Sequence, residues 1–533
     1  MRDDVRTLTA GFLRSAEYYP QRVALEVGGA KLTYQALYDA AKSLSKVILR
    51  NLSNHGPQLT AVLASRSVTA YAGVLGSLLA GHGYVPLNPS FPPERTNTML
   101  RRSECRSLIV DAAAQSQLDQ VLVHLTEPMV VILPECTGEI GEYTARWPEH
   151  RFVDAGELEH NSTVAPQPSS AAANAVAYLL FTSGSTGVPK GVAVAHRNVV
   201  HFVQAAVERY KIDEFDRFSQ TFDLTFDLSA FDMFLAWERG ACVCCPPRKA
   251  LLNPAQFIRD SRLTIWFSVP SVALMMRQLG ALKPAAFPTL RWSLFCGEAL
   301  PADLAAAWAE AAPQSIVENL YGPTEVTIAC TAYRWGGLSA PECEHNIVPI
   351  GYPLAGMKTL IADNNLREVP PGQEGELLMA GPQVSLGYWR DAEKTADRFV
   401  VPPDTELTYY RTGDRVCRPT SDGPLLFRGR LDHQIKVQGY RVELQEIEAL
   451  LKQEAGVDLA IAVAWPLRSS SAGGIEAFMT AGPVHVDAVR QRLKARLPSY
   501  AVPRKIHVID CWPLNSNGKI DRGQLLKLLE AGL

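Results

Sequence analysis

The sequence predicts an α/β protein with a large N-terminal unit of layered sheets and helices, residues 1–431, and a small α+β unit, residues 432–533. Three observations lead there. Short apolar runs alternate with helical patterns through the first 165 residues, the mark of a largely parallel sheet with crossover helices. At 533 residues and 58.4 kDa the chain exceeds one ordinary core. Near Gly429–Asp432 a run of strands and turns gives way to a fresh strand-then-helix pattern.

The elements follow in chain order. Residues 1–7 carry two acids and two arginines with no apolar run behind them, so no secretory signal is expected there. Leu59–Leu63 is a strand candidate and a helix is expected from near Val68. Its apolar stretch, residues 70–80, is broken by Gly73, Gly76 and Ser77 and is too short to span a membrane, which takes about 20 apolar residues. Residues 166–174, rich in Pro, Ser and Ala, read as a surface connection, and residues 176–181 as the strand after it. Cys242, Cys244 and Cys245 sit in an apolar run and fit a buried strand better than a metal site. Residues 410–427 read as strands and turns, 434–437 as a short strand. Ile447, Leu450 and Leu451 then mark a helix face.

Bulk properties exclude whole classes. Net charge is −3 with 47% hydrophobic and 20% charged residues, so no global field attracts nucleic acid or an anionic membrane. Ten cysteines in so long a chain do not make a disulfide scaffold, and free thiols in a reducing cytoplasm are expected.

The strongest local signal runs from Phe181 to Gly191. Thr182, Ser183, Ser185 and Thr186 alternate with Gly184 and Gly187 directly after a strand, and Lys190 follows. Glycines let the backbone approach an anion, while hydroxyls and amides donate to phosphate oxygens. Val188 and Pro189 separate Gly187 from Lys190, so this is not a Walker A loop.

The loop resembles the phosphate-binding signature of the adenylate-forming superfamily: acyl-CoA synthetases, luciferases and nonribosomal peptide synthetase adenylation domains. The likeness continues in order through nearly the whole chain. Residues 319–325 are similar to the second nucleotide motif, which implies that Tyr321 stacks on adenine, that Thr324 contacts phosphate and that Glu325 holds Mg²⁺. Asn319 and Gly322, and upstream Gly297 and Glu298, join the nucleotide-binding set by the same resemblance. Asp414 matches the aspartate that accepts the ribose hydroxyls; Phe427 and Arg430 match nucleotide contacts, and Asp432 the hinge. Lys519 resembles the catalytic lysine, where a cation stabilises charge developing on the phosphate. Catalytic roles are thus implied for Lys519, Glu325 and Thr186. Residues 439–443 match the face used in the second half-reaction, after the small unit rotates.

Asp227 opens the segment that resembles the acyl pocket. Two readings of its carboxylate stand: an N-cap for the helix beginning at Leu228, or the partner of a substrate α-ammonium. The resemblance favours the second and carries over Leu228, Phe231, Ser268, Leu294, Cys296, Leu320, Ile328 and Ala329 as pocket lining. That lining is apolar and offers no second charge, so a small or compact neutral amino acid, alanine-like or proline, is expected. No phosphopantetheine attachment motif appears before Leu533. The expected protein is a stand-alone, cytoplasmic ATP- and Mg²⁺-dependent ligase of natural-product biosynthesis, serving a separate carrier protein. An acyl- or aryl-CoA ligase and a D-alanine–carrier protein ligase remain the alternatives.

Overall fold

The computed structural model describes residues 7–51, 56–138, 140–160, 173–184, 188–337, 343, 346–432, 434–437, 439–468, 471–514 and 520–532. Two large mixed sheets form the bulk of the first 350 residues. One runs Arg151–Val153, Val130–Ile132, Ser107–Val110, Leu59–Leu63, Gly83–Leu87, Val176–Thr182, Lys190–Ala195, parallel except for the last pair. The other carries Ile316–Tyr321, Trp292–Phe295, Ile265–Ser268, Arg217–Ser219, Cys242–Cys244 and Val23–Val27 as its parallel middle, with antiparallel strands at both edges. Buried on both faces, these strands read as continuous apolar runs, as Leu59–Leu63 and Cys242–Cys244 do. The cysteine run is therefore core, and among the described residues no cluster suited to a metal ion forms.

The glycines that break the apolar stretch serve close packing. Helix Val68–Leu79 lies on helix Tyr34–Arg50 so closely that a Cβ on Gly76 would stand 2.9 Å from the Ala41 carbonyl oxygen. Among the described residues no helix is long and apolar enough to cross a membrane. Residues 166–172 of the expected surface connection lie outside the described residues.

A third, antiparallel sheet holds Lys358–Ala362, Glu374–Ala380, Tyr409–Cys417, Phe399–Val400 and Leu426–Arg430. After it comes the hairpin Gln434–Val437 and Tyr440–Glu443, then helix Leu444–Ala455, ended by Gly456 in the left-handed conformation (φ 66°). Ile447 and Leu451 of that helix pack with Val489 and Leu493 of helix Val486–Arg496 in a core of their own.

Several contacts seat this C-terminal part on the rest. Arg95 and Glu446, both buried, form an ion pair at 3.0 Å. Removing either partner alone would cost roughly 3–5 kcal/mol, because it strands a buried charge. Tyr440 stacks on Tyr500 with ring centroids 3.8 Å apart and meets Phe226 edge-on at 4.7 Å. Gly439 donates its N–H to Glu298 Oε1 at 2.8 Å; its φ is 82°, and a Cβ there would stand 2.6 Å from Val269 Cγ1.

Candidate active site

The hairpin closes over a cavity of about 560 Å³ at the strand ends of the two large sheets. Many of the nucleotide residues expected from the sequence share its wall: Thr182, Ser183, Gly297, Glu298, Asn319, Tyr321, Gly322, Thr324, Asp414, Phe427, Arg430 and Asp432. Chain turns at strand ends deliver several of them, while Asp414 and Phe427 project from within strands Tyr409–Cys417 and Leu426–Arg430. Val176–Thr182 ends at the glycine loop, where a Cβ on Gly184 would meet the Val188 carbonyl oxygen at 2.2 Å. Ile316–Tyr321 ends in the turn carrying Thr324 and Glu325. Ser185, Thr186, Gly187 and Lys519 lie outside the described residues.

Along one side runs a chain of polar groups. Tyr321 donates its hydroxyl to Asp414 Oδ2, and Arg430 Nη1 donates to Asp414 Oδ1 at 2.5 Å. The same guanidinium grips Asp432 with two bonds, 2.6 and 2.7 Å. Burial works against the Arg430 charge, yet Asp414 and Asp432 hold it above the ordinary value. Asn319 is anchored by Nδ2 to the Val348 and Pro349 carbonyls. The Thr182 hydroxyl is buried with no hydrogen-bond partner among the described residues, a donor left for something in the cavity.

Glu325 sits at the junction of the parts. It is wholly buried, and Arg441 of the hairpin donates from Nη1 to both its oxygens, at 3.1 and 2.9 Å. Tyr388 donates its hydroxyl at 2.8 Å, and Lys190 stands 3.4 Å away. Burial opposes the Glu325 charge, but Arg441 and Lys190 outweigh it and hold the carboxyl far below its ordinary value. Burial and the neighbouring Arg441 pull the Lys190 ammonium down to about 8. Ser183 donates its hydroxyl to the Arg441 carbonyl at 3.0 Å, so the glycine loop and the hairpin touch directly.

Asp227 resolves one open alternative. It stands at the N-cap of helix Leu228–Glu238 but caps nothing; instead its Oδ2 accepts the Ile328 N–H at 2.9 Å. Burial pushes its carboxyl up to about 6, with the Ile328 bond working the other way. No Lys or Arg nitrogen among the described residues lies within ion-pair distance of it. Leu228, Cys296 and Leu320 share the cavity wall with it. Phe231, Ser268, Leu294, Ile328 and Ala329 are fully buried and stand behind that wall. Phe231 packs among Phe202, Tyr210, Phe218 and Phe267, and Ser268 Oγ accepts from Trp266 and donates to the Val269 carbonyl.

Sequence reasoning missed four contributors. Arg441 belongs to the 439–443 segment, but its partner Glu325 was not foreseen. Lys436 lines the cavity from the hairpin strand, adding a cation to a wall expected to have none. Tyr388 and Gln383 carried no local signal at all, because only the fold brings them beside residues 325–329.

A family model described as AMP-binding enzyme matches residues 12–389. The chain is 32% identical over 534 residues to an L-proline–[L-prolyl-carrier protein] ligase of Pseudomonas fluorescens, covering 99% of this chain and 100% of that one. It is 32% identical over 526 residues to a dimodular nonribosomal peptide synthase of Bacillus subtilis, covering 96% of this chain but spanning only 20% of that synthase. Among solved structures, the Vibrio cholerae adenylation domain AlmE in complex with glycyl-adenosine-5'-phosphate superposes with a TM-score of 0.87 at 32% identity, over 98% of each chain.

The Asp227 carboxyl should be directly measurable. Carbon-detected NMR of labelled aspartate should show a midpoint near 6 that vanishes in Asp227→Asn. Capacity to pair with a cation then grows as pH rises through that midpoint. A midpoint at the ordinary aspartate value of 3.8 would contradict the burial argument.

Proposed function

The chain belongs to the AMP-binding enzymes, and on that premise we propose that it activates a small or compact neutral amino acid with ATP. The products of the first step are aminoacyl-AMP and pyrophosphate; the aminoacyl group then passes to the phosphopantetheine thiol of a separate carrier protein. The observation that carries this reading is Asp227: a buried carboxylate on the cavity wall with no described Lys or Arg in ion-pair contact, Lys436 acting on it only from farther off. Such a group is costly unless the ligand brings the cation, and an α-ammonium does. Leu228, Cys296 and Leu320 around it suit a short apolar side chain, alanine-like or proline. Two relatives support the substrate class, since one is named for proline and AlmE binds glycyl-adenosine-5'-phosphate. Natural-product assembly is the setting that the peptide synthase relative suggests.

In this reading Tyr321 offers an aromatic face to adenine, while Asp414 and Arg430 meet the ribose. Thr182, Ser183 and the glycine loop donate to phosphate oxygens. Lys190, lowered by its surroundings yet still mostly charged at neutral pH, adds a cation beside them. Lys519, with Thr186, stabilises the charge that develops as the substrate carboxylate attacks the α-phosphorus.

Glu325 is the residue that would hold Mg²⁺. A wholly buried carboxylate must be met by a cation, so its chemistry fits a hard divalent ion, and in the present arrangement Arg441 fills that need. The ion supplies neutralisation of phosphate charge when bound.

The division at 431/432 and the Asp432 hinge belong to the same proposal. With the hairpin docked, Gly439 and Tyr440 also line an adjoining cavity of about 690 Å³, which Leu228 and Phe226 share. This docked hairpin is the arrangement suited to acyl transfer, reached after the first step by rotation about Asp432.

ATP–pyrophosphate exchange across all amino acids plus simple aryl and fatty acids tests the proposal. Highest exchange is expected with alanine-like residues or proline. Preference for an acidic, basic or large aromatic amino acid would overturn the substrate class, and preference for an acid without an amine would overturn amino-acid activation. Lys519→Ala should cut exchange on the order of a hundredfold or more while ATP binding, read by calorimetry, persists. Full exchange in that variant would remove the assigned role.

A further inference from the structure

We propose that Gln383 is a positioning residue for amine recognition by Asp227, acting through the backbone of residues 326–329. The inference rests on the reading of Asp227 given above. Gln383 lies between strand Glu374–Ala380 and helix Ala392–Arg398 and does not line the cavity. Its side-chain amide, fully buried, donates from Nε2 to the Ala329 carbonyl at 2.7 Å and stands 3.3 and 3.4 Å from the Thr327 and Val326 carbonyls. Thr327 returns a bond from its hydroxyl to the Gln383 carbonyl at 2.6 Å. Three carbonyl neighbours fix which end of the amide carries hydrogen.

The clamp matters because of what it holds. Thr327 and Ile328 adopt φ of 57° and 69°, a left-handed region that β-branched residues rarely occupy. That turn aims the Ile328 N–H at Asp227 Oδ2. Gly322 closes the opposite side: a Cβ there would stand 2.6 Å from Ala329 Cα. The strained turn is therefore pinned between Gly322 and the Gln383 amide, and the carboxylate takes its orientation from the turn. The Gln383 side chain also interacts with that of His201. Loss of the amide's amino end frees the turn, and Asp227 loses its fixed orientation while remaining in place.

The test is ATP–pyrophosphate exchange by wild type, Gln383→Met and Asp227→Asn. The probes are L-alanine with propanoate and L-proline with cyclopentanecarboxylate, each pair differing by the amine. Gln383→Met should reduce the wild-type preference for the amine-bearing acid roughly tenfold, through KM for the amino acid, with KM for ATP unchanged. Equal losses on both members of a pair, or a change confined to KM for ATP, would overturn the positioning role. If Asp227→Asn itself keeps the preference, the Asp227 reading fails. If Asp227→Asn abolishes the preference and Gln383→Met retains it, only the present inference fails. Should Gln383→Met not fold, Thr327→Val removes the reciprocal hydroxyl bond, with the same expected loss; an unchanged preference there overturns the proposal.

Discussion

A carboxylate sealed from water has to be met by positive charge, and Glu325 imposes that requirement on the whole molecule. Lys190 answers from the strand after the glycine loop, Arg441 from the C-terminal hairpin, and Tyr388 adds a hydroxyl from a third segment. Four stretches of chain, far apart in sequence, are thereby drawn to one point. The seating of the hairpin is coupled to that point, since Arg441 reaches both carboxylate oxygens while Gly439 and Tyr440 close the cavity. If Arg441 withdraws, another cation has to take its place, which ties the position of the small unit to what occupies the site.

Glu325 and Asp227 face opposite fates in one cavity region. Both are buried, yet two cations hold Glu325 ionised, while burial outweighs the Ile328 N–H, the Thr324 side chain and the more distant Lys436 at Asp227 and pushes it up to about 6. Pairs of carboxyl groups driven apart in this way divide the work of a site. Glu325 is held in its charged form by Arg441 and Lys190 and draws their segments together.

Much of this was legible in the sequence where local chemistry dictates local structure. Leu59–Leu63 and Cys242–Cys244 emerge as the strands their apolar runs imply, Gln434–Val437 is the short strand expected, and Ile447 with Leu451 marks a true core face. The residues expected to meet phosphate, adenine and ribose converge on one cavity, Thr182, Tyr321 and Thr324 from strand ends and Asp414 from within strand Tyr409–Cys417. Pocket depth was less legible. Phe231, Ser268 and Leu294 match by spacing, but packing places them behind the wall, and no one-dimensional pattern separates a lining residue from the layer beneath it. Arg441, Lys436, Tyr388 and Gln383 act across the fold, so their partners are set by tertiary contact. The N-cap reading of Asp227 could be settled only by seeing that its carboxylate turns to Ile328.

The central claim is that a carboxylate oxygen of the substrate attacks the α-phosphorus of ATP. The most direct measurement supplies L-alanine or L-proline labelled with heavy oxygen in its carboxylate, adds ATP and hydroxylamine to capture the acyl group, and weighs the nucleotide products. Attack at the α-phosphorus leaves one labelled oxygen in AMP, and that is the predicted result. Labelled inorganic phosphate accompanied by ADP would mean attack at the γ-phosphorus and would contradict the account.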